Sequence, residues 1–318
     1  MRYLDPKNDI AFKKIFGVHK DLCISLLNAL LPLAKENEIQ SIEYVDSDVL
    51  PENPLKKNSV VDVRCKDALG REFLVEMQLY WSKGFKQRTL YNVTKAYSSQ
   101  LVSGANFRDL KPVYALCIIN DNFEESFIYR DKYLYTYTLR DSDARDLQME
   151  DLCMVFVELP KFKPENKVQE KMKNLWLSFL KDIKEGTRSE DVDHDLFENE
   201  LTKKALDTLE EMSFSRAERL SYEKMWDDIS KERTVIFDAE EKIAMNLEKG
   251  RAQGRAEGRV EGRAEGRAEG RAEGRAEGRA EEKISNILGV RNLLSPQQIA
   301  EAFKLPLEEV EKILKGNY

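Results

Sequence analysis

Long apolar runs are missing from this 318-residue chain. None approaches the roughly 20 consecutive apolar residues that span a bilayer, so a membrane-spanning bundle is excluded and no membrane partner is expected. The first residues, MRYLDPKNDI, lack the apolar stretch of a secretory leader, and a cytoplasmic location is the expectation. Histidine is scarce, with only His19 and His194, both expected at the surface. There are four cysteines, Cys23, Cys65, Cys117 and Cys153, widely spaced and each in an apolar segment. With no CxxC pair and only two histidines, a zinc site of the usual kind is not expected, and a disulfide framework is not indicated; the four read as reduced core residues.

An excess of positive charge is missing too. The net charge is −7, but it is unevenly placed. Residues 184–248 hold 10 Lys+Arg against 19 Asp+Glu, residues 249–318 hold 14 against 12, and residues 1–183 hold 27 of each. Whole-chain acidity therefore does not exclude nucleic acid at the N-terminal body, although any phosphate-binding surface there must be local.

What is present centres on Ser59 to Tyr80, SVVDVRCKDALGREFLVEMQLY. Val60, Val61 and Val63 open one strand, and Phe73, Leu74, Val75 and Met77 carry a second. Lys66 to Arg71 supplies the turn, with Gly70 free to take a positive φ. Asp62 interrupts the first strand; Glu76 and Gln78 interrupt the second and share a face because side chains alternate. A hairpin can bring Asp62 beside them. Two carboxylates and an amide would then converge near the middle of a sheet, where a bare carboxylate is costly to bury. A divalent metal would offset that cost.

Asp62 followed by Glu76-Met77-Gln78 resembles the core of the PD-(D/E)XK nuclease fold. More narrowly, the chain resembles the bacterial recombination-promoting nuclease/putative transposase family. Asp9-Ile-Ala-Phe-Lys-Lys-Ile-Phe16 is similar to that family's opening helix. Arg88-Thr-Leu-Tyr91 with Ala96-Tyr-Ser-Ser-Gln100 is similar to its next helix, and Gly104 with Leu110-Lys-Pro112-Val113 to the approach to its next strand. The RAEG-type tail is common there as well. The match covers roughly residues 1–180 well and the tail loosely.

The resemblance implies an α/β, restriction-endonuclease-like mixed sheet flanked by helices, with a C-terminal helical extension. It implies a Mg²⁺-dependent DNA endonuclease, or one using another divalent cation, linked to recombination or mobile elements. Asp62 and Glu76 would be metal ligands, the Met77 carbonyl could add another, and Asp9 matches an acidic position that can complete the shell. Gln78 stands where the wider fold usually has Lys, and the narrower family also carries Gln. Gln can orient water or phosphate by hydrogen bonds, but cannot lower a barrier through charge. Arg88, Tyr91 and Lys95 are candidate DNA contacts on one helix face. Gln100 matches a family position without an assigned role.

Other elements follow from pattern. Asp5 to Asp9 offers caps for a short helix through Ile10, Phe12, Ile15 and Phe16, and Asp21 for a second. Strands are expected within Ile39–Val49, Val113–Ile119, Phe127–Leu139 and Leu152–Leu159, and helices over Lys83–Val102 and Val168–Ile183. This order suits a mixed sheet flanked by helices, and four segments are expected: a nuclease-like body at 1–183, an acidic helical extension at 184–249, an RAEG spacer at 250–282 and a small helical unit at 283–318. In the extension, Leu201, Ala205, Leu209 and Met212 form one apolar stripe, and Leu220, Met225, Trp226 and Ile229 another.

From Gly250 to Gly278 glycine recurs every four residues. In a helix each costs about 1 kcal/mol relative to Ala. Arg meets Arg, and Glu meets Glu, at i+4, so like charges occupy the favourable spacings. The repeat reads as a helix-prone spacer, with pairing to a second chain (a homo-oligomer through extension and tail) open. Ser295 can cap a helix with Pro296 at its first position, and a compact helical unit for assembly follows.

Plainer readings exist for each candidate. Asp62 could pair with Arg64 or Arg71, Glu76 and Gln78 could lie on a solvated strand face, and Asp9 could be a helix cap. Trp81 could stack on a base, although a core aromatic is commoner. The rival function is a catalytically silent DNA-binding or assembly protein on a degenerated nuclease scaffold.

Overall fold

The computed structural model describes residues 1–45, 62–101, 104, 106–123, 128–144, 146–164 and 170–316. Val60, Val61, Val102, Phe127 and Val168, named above as parts of strands or helices, lie outside the described residues. The chain divides into two compact units, Met1–Lys231 and Glu232–Tyr318.

The first unit is built on six strands: β1 (Ile42–Tyr44), β2 (Val63–Asp67), β3 (Glu72–Gln78), β4 (Val113–Ile119), β5 (Leu134–Arg140) and β6 (Gln148–Glu158). Their order across the sheet is β1-β2-β3-β4-β6-β5. β3, β4 and β6 run parallel, while β1, β2 and β5 are antiparallel to their neighbours. The β2–β3 turn is tighter than expected because Lys66 and Asp67 belong to β2. Asp67 Oδ1 accepts from the Leu69 and Arg71 amides at 3.0 and 2.9 Å, and Gly70 takes φ +81°. Only glycine adopts that φ at little cost.

Alternation along β3 sends its side chains to two cores. Phe73 and Val75 join the larger one, with helices α1 (Asp9–Phe16), α2 (Lys20–Leu30), α4 (Lys171–Asp182) and α6 (Glu200–Leu209). Leu74 joins the smaller one, with Phe85, Val93 and Ala96 of α3 (Phe85–Ser98). β4 contributes to both, Leu116 and Ile118 to the first and Ala115, Cys117 and Ile119 to the second. This is why β4 is almost wholly apolar. Trp176 of α4 is fully buried, edge-on to Phe16 at 5.4 Å, and donates to Ser25 Oγ at 2.9 Å. All four cysteines are free and buried.

α1 is capped by Asn8, whose side chain accepts from the Ile10 amide; Asp9 is the first helical residue, not the cap. α2 starts at Lys20, before Asp21, which instead pairs with Lys204 at 2.7 Å. The expected boundary at 183/184 falls inside the first unit. α5 (His194–Glu198) and α6 pack there, the Tyr3 amide donates to the Thr187 carbonyl, and the hydroxyl of Tyr222, at the start of α7 (Arg216–Gly289), accepts from the Asp5 amide at 3.0 Å. Two stripe residues do not pack as expected: Met212 is 89% exposed and Leu220 58%. Trp226 of the second stripe packs on the core as expected, and Tyr222, outside both stripes, is buried there. His19 is half-buried, not at the surface, near Thr208; His194 is exposed.

In the second unit α7 is helical through the whole repeat, and a Cβ on any glycine from Gly250 to Gly278 would meet nothing within 4 Å. Helices α8 (Pro296–Phe303) and α9 (Leu307–Leu314) close a small core of Ile287, Ile299, Val310 and Ile313. Ser295 caps α8 in a reciprocal pair with Gln298, and Pro296 opens it. Among the described residues no helix is long and apolar enough to cross a membrane.

Candidate active site

The site forms where β2 begins, β3 ends and α1 and α3 converge on them. Val63 pairs with Val75, so extending the register by one position sets Asp62 opposite Glu76. Asp62 lies just before β2, not within it. Its Oδ2 accepts from the Met77 amide at 2.6 Å, which ties it to β3. The arginines offered by the plainer reading are engaged elsewhere: Arg64 with Glu72 and Arg71 with Asp67, both at 2.7 Å.

α1 adds a second carboxylate to Asp62. Asp9 lies beside it, and Lys13, one turn along α1, is 2.9 Å from Asp9 Oδ1 and 3.9 Å from Asp62 Oδ1. Lys13 Nζ also donates to Asp9 Oδ2 at 3.1 Å. Burial pushes the Asp62 carboxyl up to about 7; the Met77 N–H opposes that, and the neighbouring Asp9 charge adds to it. One lysine thus serves two adjoining acids.

Glu76 is 6% exposed, so it is not on a solvated face. Burial raises its carboxyl above the ordinary range, opposed by Arg88 and Asn92. Asn92 Nδ2 donates to its Oε1 at 3.0 Å, and Arg88 Nη2 lies 3.6 Å from Oε2. The same Arg88 nitrogen donates to Gln78 Oε1 at 2.8 Å, while Gln78 Nε2 donates to the Tyr80 carbonyl at 3.0 Å. Gln78 therefore positions a guanidinium beside Glu76. The cation that lysine would place at this position comes instead from α3. Cys117 of β4 is the cross-strand partner of Glu76, and burial pushes its thiol up, with the Glu76 charge adding to that.

The remaining candidates divide. Tyr91 is 43% exposed, with Lys95 6.0 Å from its ring, on the outer side of α3. Trp81 packs on Phe123 and Phe85 at 4.7 and 6.0 Å as a core aromatic. Gln100 has a structural role: it exchanges two hydrogen bonds with the Lys111 backbone, at 3.1 and 2.8 Å, and so fixes the approach to β4. Sequence reasoning missed Lys13 and Asn92. Each stands four residues after a chosen residue, Asp9 and Arg88, and that spacing was the available signal.

Carboxylates, a backbone carbonyl and no thiol or imidazole form an oxygen donor set suited to Mg²⁺ or a similar hard cation. Among the described residues no group of three or more His, Cys, Asp or Glu side chains is placed to hold a metal ion. A site here would rest on Asp62 and Glu76 with the Met77 carbonyl, and Asp9 would act beside Asp62.

The six-stranded mixed sheet flanked by helices has the restriction-endonuclease-like architecture. No curated protein and no solved structure matches the chain. Residues 6–239 match the family model described as PD-(D/E)XK nuclease family transposase. With most of its length matched, the chain belongs to the PD-(D/E)XK nuclease family of transposases.

Proposed function

We propose that the protein is a divalent-cation-dependent DNA endonuclease that hydrolyses phosphodiester bonds, in the setting of recombination or mobile elements. One observation carries the reading: Asp62 and Asp9 are packed together and served by a single lysine, next to a buried Glu76. Burying under-neutralised carboxylates opposes folding, and a cation would relieve it. Asp62 and Glu76 would hold that cation, which when bound would clamp the scissile phosphate and acidify a water.

The chain's own residues do the rest. The Met77 amide fixes the Asp62 carboxylate, and Asn92 fixes that of Glu76. Arg88, held by Gln78, offers a guanidinium for a phosphate oxygen, a geometry suited to bidentate contact. Lys13 supplies a second positive charge on the α1 side. Mg²⁺ should raise the melting temperature of the wild-type protein and leave the Asp62→Ala, Glu76→Ala double variant unmoved. An equal rise in both would overturn the reading. The silent-scaffold alternative draws on Gln78, and DNA binding without metal-dependent cutting would establish it.

A further inference from the structure

The opposite side of α3 carries a second feature that the cleavage site does not use. An open cavity of about 210 Å³ is lined by Lys86, Gln87, Leu90, Tyr137, Met154 and Phe156. Tyr137 and Phe156 stand edge-on, with centroids 5.5 Å apart at 88°. Lys86 Nζ lies 5.7 Å from the Tyr137 ring and 4.9 Å from that of Phe123. Leu90 and Tyr137 are 45% and 39% exposed, although both are large and apolar. A concave apolar seat with a few polar groups at its rim is the usual form of a small-ligand site.

We propose that this cavity receives one unpaired nucleobase of the nucleic acid whose phosphate lies at Arg88. The inference rests on the nuclease reading and adds a substrate class to it: DNA with at least one unstacked nucleotide near the cut. Three features favour a base as occupant. The wall is an aromatic ring that a base can stack on, and stacking tolerates any sequence. Lys86 brings positive charge to the rim for the adjoining phosphate, and the Gln87 amide can donate to and accept from a base edge. The position also fits. Lys86 and Leu90 stand two residues to either side of Arg88 on α3, about 160° round the helix from it, so a strand held by Arg88 reaches the cavity by crossing the exposed face of α3. From β3 to β5 is three strand spacings in the order β3-β4-β6-β5, about 14 Å across the sheet. That is about four nucleotides at duplex rise, and fewer when the strand is extended.

The test uses the full-length protein in EDTA with a single-stranded oligonucleotide carrying one 2-aminopurine, placed at each position in turn, and with the same sequence as a blunt duplex. Emission should be quenched at one single-stranded position and not in the duplex. Tyr137→Ala should remove that quench and weaken binding by roughly five- to a hundred-fold, the loss of one base stack. Tyr137→Phe should retain both. Leu90→Trp, which fills the cavity from its exposed rim, should reproduce the loss without removing a strand side chain. Leu147→Ser, which changes a 66% exposed apolar residue outside the cavity, should leave binding unchanged.

Unchanged binding in Tyr137→Ala and Leu90→Trp would overturn the proposal. So would an equal loss in Leu147→Ser, which would show that the effect does not belong to the cavity. Plasmid cutting measured in parallel separates the two claims. Cutting without a Tyr137 effect removes the base seat alone, and a base-specific quench without cutting removes the nuclease chemistry alone.

Discussion

Asp62→Asn should stabilise the metal-free protein, although it removes a central site residue. The side chain keeps its size and its acceptor for the Met77 amide, and it loses the charge that faces Asp9. In the folded chain the Asp62 carboxyl moves from 3.8 to about 7. A group raised in this way favours folding most when protonated. That stability is fully present below pH 4 and is lost as pH rises through about 7. At pH 7 the shift corresponds to a ceiling of roughly 4 kcal/mol, from about 1.4 kcal/mol per pH unit. Water entry and local relaxation reduce this, so a gain of about 1–3 kcal/mol is expected. At roughly 2–4 °C per kcal/mol, that is a rise of about 2–12 °C in melting temperature. The assay is thermal unfolding in EDTA at pH 5 and pH 8, with the gain larger at pH 8. Asn equal to or below wild type at pH 8, or a gap independent of pH, would refute the idea that this acid is buried at the expense of stability.

Three further outcomes follow from the packing and the site. Trp176→Ala removes a fully buried ring between Phe16 and Phe179 and leaves Ser25 without its donor, so denaturant unfolding should show a loss of about 3–5 kcal/mol. Gly70→Ala places a Cβ at φ +81° and 3.2 Å from Lys111 Cγ, and should cost about 1–2 kcal/mol by the same measurement. Asn92→Ala frees the Glu76 carboxylate while leaving the α3 core in place; cutting should fall by roughly ten- to a hundredfold with folding nearly intact, and unaltered cutting would show that Glu76 needs no such support.

Local signals were legible where chemistry is local. β4 spans Val113–Ile119 as read, because a strand covered on both faces must be apolar throughout. Ser295-Pro296 marked the start of α8 for the same kind of reason. The pairing of Asp62 with β3 followed from the hairpin, although the strand itself begins one residue later than that reading requires. Asn8 and Asp9 show the limit of local reading, since both suit a helix N-terminus and only the backbone decides which one caps.

What could not be read depends on contacts distant in sequence. The Asp5–Tyr222 bond links residues 217 positions apart, and it draws the start of α7 into the first unit. Periodicity placed Trp226 correctly but could not show that Met212 and Leu220 would face solvent while Tyr222 packed, because neighbouring stripes on an amphipathic helix look alike. Arg88 was read as a phosphate contact only. Its bond to Gln78 makes sense of glutamine at a position where the wider fold carries lysine, and that needed α3 laid across β3.

The most direct measurement is plasmid nicking by the purified protein with Mg²⁺, with EDTA, and with Asp62→Ala. The account predicts nicking with Mg²⁺, none in EDTA, and none from a variant that still unfolds cooperatively. Nicking that persists in folded Asp62→Ala, or that ignores EDTA, would contradict it.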